Sequence, residues 1–102
     1  MHGLLAATAL LLASEGSSGG ALRARVGHAP RAVAAFIERR ASCNHFTGEE
    51  PYDKERAAYL NRVIRELRCE RIDRDERRLR SAYRRRPAIL RLLDDTADLL
   101  GW

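Results

Sequence analysis

Hydrophobic residues recur along much of this chain at intervals of three and four positions, the spacing that places side chains on one face of an α-helix. The first such stripe comprises Val33, Phe36, Ile37 and Ala41. Pro30 precedes it and suits the first turn of a helix, where its missing N–H leaves no bond unmade. The pattern predicts a first amphipathic helix over residues 30–42.

A second apolar stripe, preceded by a helix-starting residue, predicts the next helix. Residues 43–52 contain Asn44, Gly48 and Pro51, which are expected to break the first helix. Asp53 then has the side chain of a good N-cap. The apolar positions that follow are Ala57, Leu60, Ile64 and Leu67, with Val63 beside them.

The chain is expected to break again before a third helix. In a straight helix Cys69 would point away from the apolar stripe, so we expect a bend between Leu67 and Asp73. Asp73 followed by Glu76 resembles a capping box and predicts a restart there. This third helix is expected over about residues 74–85, with Leu79, Ala82 and Tyr83 on one face.

Pro87 breaks or restarts the helix, because the residue before a proline is disfavoured in the α region. A final apolar stripe then predicts a helix to about Leu100, ended by Gly101. With no period-two alternation, the chain is expected to be all-α, a small bundle of three to four short helices with one disulfide. The expected core is Val33, Phe36, Ile37, Leu60, Ile64, Leu67, Leu79, Tyr83, Ile89 and Leu93.

The N-terminus has the composition of a secretory signal rather than of a folded element. Residues 3–13 form an apolar run that is shorter than the roughly 20 residues needed to span a bilayer but suits a signal-peptide core. The segment before it has no Lys or Arg. We expect residues 1–21 to be a signal peptide or a flexible tail, 22–29 a linker and 30–102 the helical domain. A signal would make the protein periplasmic or secreted; otherwise it would be cytoplasmic.

Charge is concentrated in the third helix and the turn after it. The 102 residues carry 19 basic and 14 acidic side chains, a net charge of +5, and eight arginines fall within residues 71–86 against three carboxylates. The candidate polyanion-binding residues are Arg77, Arg78, Arg84, Arg85 and Arg86. Carboxylates three or four positions from many arginines favour the alternative of a solvated, ion-paired helix face.

The only two cysteines are Cys43 and Cys69. In an exported protein they most simply form one disulfide, which would stabilise the fold by about 3–4 kcal/mol. Free structural thiols are one alternative. Another is a metal or catalytic site with His45, and with His28 or Glu49, but the close ligand pairs of zinc sites are missing. No cofactor or metal is predicted.

A candidate recognition loop follows the first helix, with His45, Phe46, Glu49, Glu50 and Tyr52 close together. The alternative, which capping chemistry favours, is that the aromatic rings pack onto the helices while polar residues cap the next one. The two glutamates are adjacent and so cannot flank a substrate as acid and base. No residue fits a catalytic role, and the protein is not expected to be an enzyme.

The stretch from Cys69 to Tyr83 resembles the Cys…Leu-Asp-x-x-Leu-x-x-Ala-Tyr pattern of LprI-type periplasmic lysozyme-inhibitor domains. The resemblance rests on Cys69, Glu76 at the position of the Asp, Leu79, Ala82 and Tyr83. It implies a small, exported, disulfide-linked helical domain. Lysozyme inhibition is not carried over, because the chain has only two cysteines and its positive charge should repel a cationic lysozyme.

These features predict a small exported helical protein that binds a partner protein or a polyanion in the periplasm or envelope, without catalysis. One alternative is a cytoplasmic arginine-rich module that binds nucleic acid, although no helix-turn-helix signature or base-reading cluster is present. A second alternative is a metal or redox site built on Cys43, His45 and Cys69. No transmembrane span is expected.

Overall fold

A computed structural model describes residues 18–101, and this range contains five α-helices and no strand. In chain order they are α1 (Ser18–His28), α2 (Arg31–Thr47), α3 (Lys54–Glu66), α4 (Ile72–Ala82) and α5 (Pro87–Asp95). A short 3₁₀ turn, Cys69–Arg71, connects α3 to α4. The predicted all-α fold with one disulfide is confirmed, with five helices where three to four were expected.

Helix α2 is the element on which the others pack. Its buried face joins residues from α1 and α5 in one hydrophobic cluster: Val26, Val33, Phe36, Ile37, Ile89, Leu92 and Leu93. Each large apolar side chain buried in this way contributes about 1.5–3 kcal/mol relative to exposure. Ile64, Leu67, Leu79 and Tyr83 are only partly buried, because α3 and α4 lie against one side of α2 and leave their other faces in solvent.

The prediction that residues 22–29 form a linker is wrong, because nearly all of this segment belongs to α1. Leu22 and Val26 are four residues apart, so they lie on one face of this helix. Val26 is buried in the core and Leu22 packs against it. Gly19 and Gly20 make α1 weak as an isolated helix. The contact of Val26 and Leu22 with the core stabilises it. The expected signal sequence falls mainly on residues 1–17, which lie outside the described range.

Helix α2 also continues past its predicted end at residue 42, as far as Thr47. Asn44, expected to break it, instead donates side-chain hydrogen bonds to the carbonyls of Ala97 (3.0 Å) and Leu99 (2.9 Å). A tertiary contact therefore outweighs the weak helix propensity of asparagine. Gly48 caps this end of the helix, and its N–H donates to the Asn44 carbonyl.

The predicted start of α3 and the break after it are confirmed. The Asp53 side chain accepts a hydrogen bond of 2.7 Å from the Arg56 N–H. At the other end Arg68 adopts the left-handed conformation, with φ of 54°. The prediction of a capping box at Asp73 and Glu76 is wrong. Helix α4 begins at Ile72, and the Glu76 carboxylate accepts hydrogen bonds from Arg40 and Arg80 rather than from the backbone.

Pro87 occupies the start of α5 as predicted, but both helices of the C-terminal half are shorter than expected. Helix α4 ends at Ala82 and α5 at Asp95. The buried Thr96 hydroxyl donates a 2.7 Å bond to the Leu92 carbonyl at this end. The chain then turns across α2, where Asn44 holds it.

The left-handed residue at the end of α3 offers a test of local backbone strain. We expect Arg68→Gly to raise the free energy of unfolding by about 1 kcal/mol, because this conformation costs a residue with a side chain roughly 1–2 kcal/mol. Arg65→Gly, in the last turn of α3, should instead lower it by about 0.5–1 kcal/mol. Urea unfolding measures both, and a destabilised Arg68→Gly protein would contradict the assignment.

Candidate functional site

Two consecutive arginines on α2 bind two consecutive carboxylates on α4. Arg39 donates from Nη2 to Asp75 at 2.7 Å, and Arg40 donates from Nη1 to Glu76 at 2.8 Å. These pairs turn one face of α4 towards α2. Sequence reasoning missed both arginines, although Arg40 lies on the first apolar stripe, four positions after Phe36, which is an unusual place for a charge.

Each of these arginines also binds the carboxyl end of a helix. Arg39 donates from Nε to the Leu67 carbonyl at 2.6 Å, at the end of α3. Arg40 donates from Nη2 to the Leu93 carbonyl at 2.7 Å and to the Thr96 hydroxyl at 2.9 Å, at the end of α5. Cations are favourable at helix C-termini because the unpaired carbonyls there carry partial negative charge. The two guanidinium groups therefore join α2 to three other helices.

These ion pairs favour the ionised forms of Asp75 and Glu76. Hydrogen bonding by Arg39 holds the pKa of Asp75 below its usual value. Burial acts to raise the pKa of Glu76, but hydrogen bonds from Arg80 and Arg40 outweigh it, and the pKa is lowered. The same bond to Glu76, with a second to Asp94, raises the pKa of Arg80.

The predicted polyanion-binding residues lie on α4 and in the turn that follows it. Arg77, Arg78, Arg84, Arg85 and Arg86, which we call the arginine surface, are all exposed. Among the described residues none of the five has a carboxylate within 4 Å. These five residues are therefore solvated, as the alternative expected, but without the ion pairs expected for such a face; Asp75 and Glu76 bind Arg39, Arg40 and Arg80 instead.

The acidic residues of α5 neutralise other arginines. Asp94 pairs with Arg80 at 2.7 Å, and Asp95 pairs with Arg25 at 2.8 Å. Arg80 belongs to the inner side of α4, where it also binds Glu76. The positive charge of the arginine surface consequently remains exposed to solvent.

The predicted recognition loop is divided between a helix and a loop. His45 and Phe46 belong to α2, with ring centroids 4.8 Å apart. Glu49 accepts a bond of 2.7 Å from Arg56, which lowers the pKa of Glu49. Glu50 and Tyr52 are exposed, and 82% of the Tyr52 surface is accessible.

Tyr59, which was not among the residues predicted for the recognition loop, lies next to this loop. Tyr59 lies edge-on to Phe46, with centroids 6.3 Å apart, and the Arg56 guanidinium lies 4.8 Å from the Tyr59 ring. Leu100, 71% exposed, borders a depression of about 290 Å³ beside His45. We call Phe46, Tyr52, Tyr59 and Leu100 the aromatic end.

The predicted disulfide is present between Cys43 and Cys69, whose Cα atoms are 5.6 Å apart. It ties α2 to the 3₁₀ turn after α3. Both sulfur atoms are thereby unavailable as thiolate ligands or nucleophiles. Within residues 18–101 no group of three His, Cys, Asp or Glu side chains is arranged to hold a metal ion.

Comparison with known proteins gives this chain no family. No protein-family model, curated protein or solved structure matches it. In the part of the chain that the structure describes, no helix is both long and apolar enough to cross a membrane. Functional inference therefore depends on the surfaces themselves.

The lowered pKa values of Asp75 and Glu76 predict that acid destabilises the fold. Because each pKa is lower in the folded state, the stabilisation is complete above the usual values of 3.8 and 4.5 and is lost as the pH falls through the folded values. Urea unfolding from about pH 6 to about pH 3 should show a falling free energy of unfolding.

The matched variants for this measurement are Glu76→Gln and Glu66→Gln. Glu76→Gln removes one of the responsible carboxylates and should flatten the pH dependence. Glu66 is exposed at the end of α3, so its substitution should leave the dependence as in the wild type. Identical curves for Glu76→Gln and the wild type would contradict the assignment.

Proposed function

We propose that this protein is a small exported binding protein, without catalytic activity, whose arginine surface binds an anionic polymer of the periplasm or cell envelope. One observation carries the proposal: five exposed arginines lie on one helix and the following turn, and none has a carboxylate within 4 Å among the described residues. Two of the three carboxylates of α4, Asp75 and Glu76, bind Arg39, Arg40 and Arg80 instead.

The chemistry of guanidinium supports an anionic partner. Each guanidinium presents several N–H donors in a planar fork that matches phosphate and carboxylate oxygens, often two at a time. Arg77 and Arg78 are adjacent, exposed residues of α4, and Arg84 to Arg86 follow in the turn. A linear polymer could contact both groups, and the release of its counterions would add to the affinity.

The disulfide supports the exported location in this proposal. Disulfides form and persist mainly in oxidising compartments such as the periplasm. Anionic lipids and cell-wall polymers are the polyanions expected there, whereas nucleic acid would be the partner of the same surface in the cytoplasm. The apolar residues 3–13 fit a secretory signal by composition.

The arrangement of the polar groups favours binding over catalysis. The partly buried carboxylates of Glu49, Asp75 and Glu76 are each held by arginine in their ionised form. A general acid or base instead needs a pKa close to the working pH. The lowered pKa values move these groups in the opposite direction.

The aromatic end supports a second candidate, a site for a partner protein. Tyr52 and Leu100 expose 82% and 71% of their surfaces. Tyrosine is enriched among residues that dominate binding energy at protein interfaces, and clustered exposed apolar groups often mark such sites. This surface is separate from the arginine surface in the chain, so the two can be tested independently.

Elution from heparin, a model anionic polymer, tests the arginine surface. Arg77→Gln/Arg78→Gln should elute at clearly lower salt than the wild type, because two guanidinium contacts are lost. The slope of log affinity against log salt should fall by about one for each arginine removed. Chromatography at several salt concentrations gives both quantities.

Two control variants make this result specific. Arg62→Gln/Arg65→Gln removes the same charge from exposed positions on α3 and should shift elution less. Tyr52→Ser/Leu100→Ser alters only the aromatic end and should leave elution unchanged. Equal shifts for the two arginine pairs would indicate a response to net charge alone and would overturn the proposed site.

A further inference from the structure

A groove of about 370 Å³ lies between α1 and α5. Ile89 and Leu92, both at least 94% buried, form its floor. Its walls carry Ala24, Ala29 and Ala88, whose short side chains leave the space between the helices unfilled. The groove is therefore apolar over its depth, and its volume lies at the lower end of the ~300–1,000 Å³ usual for ligand clefts.

The rim of this groove is cationic. Arg25, His28 and Arg86 line it, and no carboxylate does. Arg25 is neutralised by Asp95, whereas Arg86 has no carboxylate within 4 Å among the described residues. An apolar floor below a cationic rim is complementary to an apolar chain with an anionic end.

We infer that this groove binds the apolar chain of a single-chain amphiphile, whose anionic head group is held by Arg86 and His28. The inference rests on the proposed function in that Arg86 also belongs to the arginine surface. The groove would thus bind a specific class of ligand, next to a surface that is proposed to bind anionic polymers through its charge.

The shape of the groove favours a free amphiphile over a membrane surface. Proteins that bind the bilayer interface insert protruding apolar side chains into it. Here the apolar residues lie at the bottom of a concave site, beneath the alanine walls and the cationic rim. Such a site takes up a chain and does not enter a lipid layer.

A second groove, between α2 and α4, provides an internal comparison. Its volume is about 300 Å³, and its lining includes Ala32, Ala35 and Phe36. It also contains Arg78 and the Arg39–Asp75 pair, and this pair places a carboxylate next to the apolar floor, which the α1–α5 groove lacks. This groove is consequently less complementary to an anionic ligand and serves as a matched control.

Calorimetric titration with alkyl phosphates tests the inference. The probes are inorganic phosphate, butyl phosphate and octyl phosphate, with octyl phosphate kept below its critical micelle concentration. Octyl phosphate should bind the wild type at least about tenfold more tightly than butyl phosphate, because each buried methylene adds to the affinity. Ala24→Gln/Ala88→Gln should fill the groove and abolish this difference, whereas Ala32→Gln/Ala35→Gln should preserve it.

The alternative outcomes each have a defined meaning. Equal affinities for butyl and octyl phosphate, or an unchanged difference in Ala24→Gln/Ala88→Gln, would overturn the inference. So would binding to phosphatidylglycerol vesicles without binding to monomeric octyl phosphate, which would indicate a membrane surface. Failure of heparin retention with intact octyl phosphate binding would overturn the proposed polymer binding and leave the groove assignment standing.

Discussion

The guanidinium group of Arg40 is the buried charge around which this small domain is built. Arg40 is only 3% exposed. Its guanidinium group lies beside the hydrophobic cluster, 5.1 Å from the centre of the Phe36 ring. A buried cation is tolerated only when partners replace its water, and removing one partner of a buried ion pair typically costs about 3–5 kcal/mol. Glu76, the Leu93 carbonyl and Thr96 supply these partners, which fixes α4 and α5 against α2.

This requirement also shapes the outer surface. Because Arg39 and Arg40 bind Asp75 and Glu76, these two carboxylates of α4 face inwards, while Arg77 and Arg78 stay exposed with no carboxylate within 4 Å among the described residues. The same interactions that stabilise the helix packing thus produce an unneutralised basic surface. The proposed binding to an anionic polymer and the cationic rim of the α1–α5 groove both depend on this separation of charge.

Much of the fold could be predicted from local patterns, because Asp53, Pro87 and the apolar stripes act within a few residues. The disulfide followed from the presence of two cysteines. The parts that could not be predicted depend on tertiary contacts: α1 has only Leu22 and Val26 to mark its buried face, and Asn44 is held in α2 by distant carbonyls. Arg40 was missed because a hydrophobic pattern treats arginine as a surface residue. The five exposed arginines were identified, but their lack of partners depends on where Asp75 and Glu76 point.

A double-mutant cycle between Arg40 and Glu76 tests this central ion pair most directly. The free energies of unfolding of Arg40→Met, Glu76→Gln and the double variant are compared with that of the wild type. A buried, shared ion pair predicts strong coupling, within the range of about 0.5–3 kcal/mol seen for contacting residues, with the double variant less destabilised than the sum of the single ones. Additive effects would show that Glu76 does not hold Arg40, and the inward orientation of the Glu76 carboxylate would then have no structural basis.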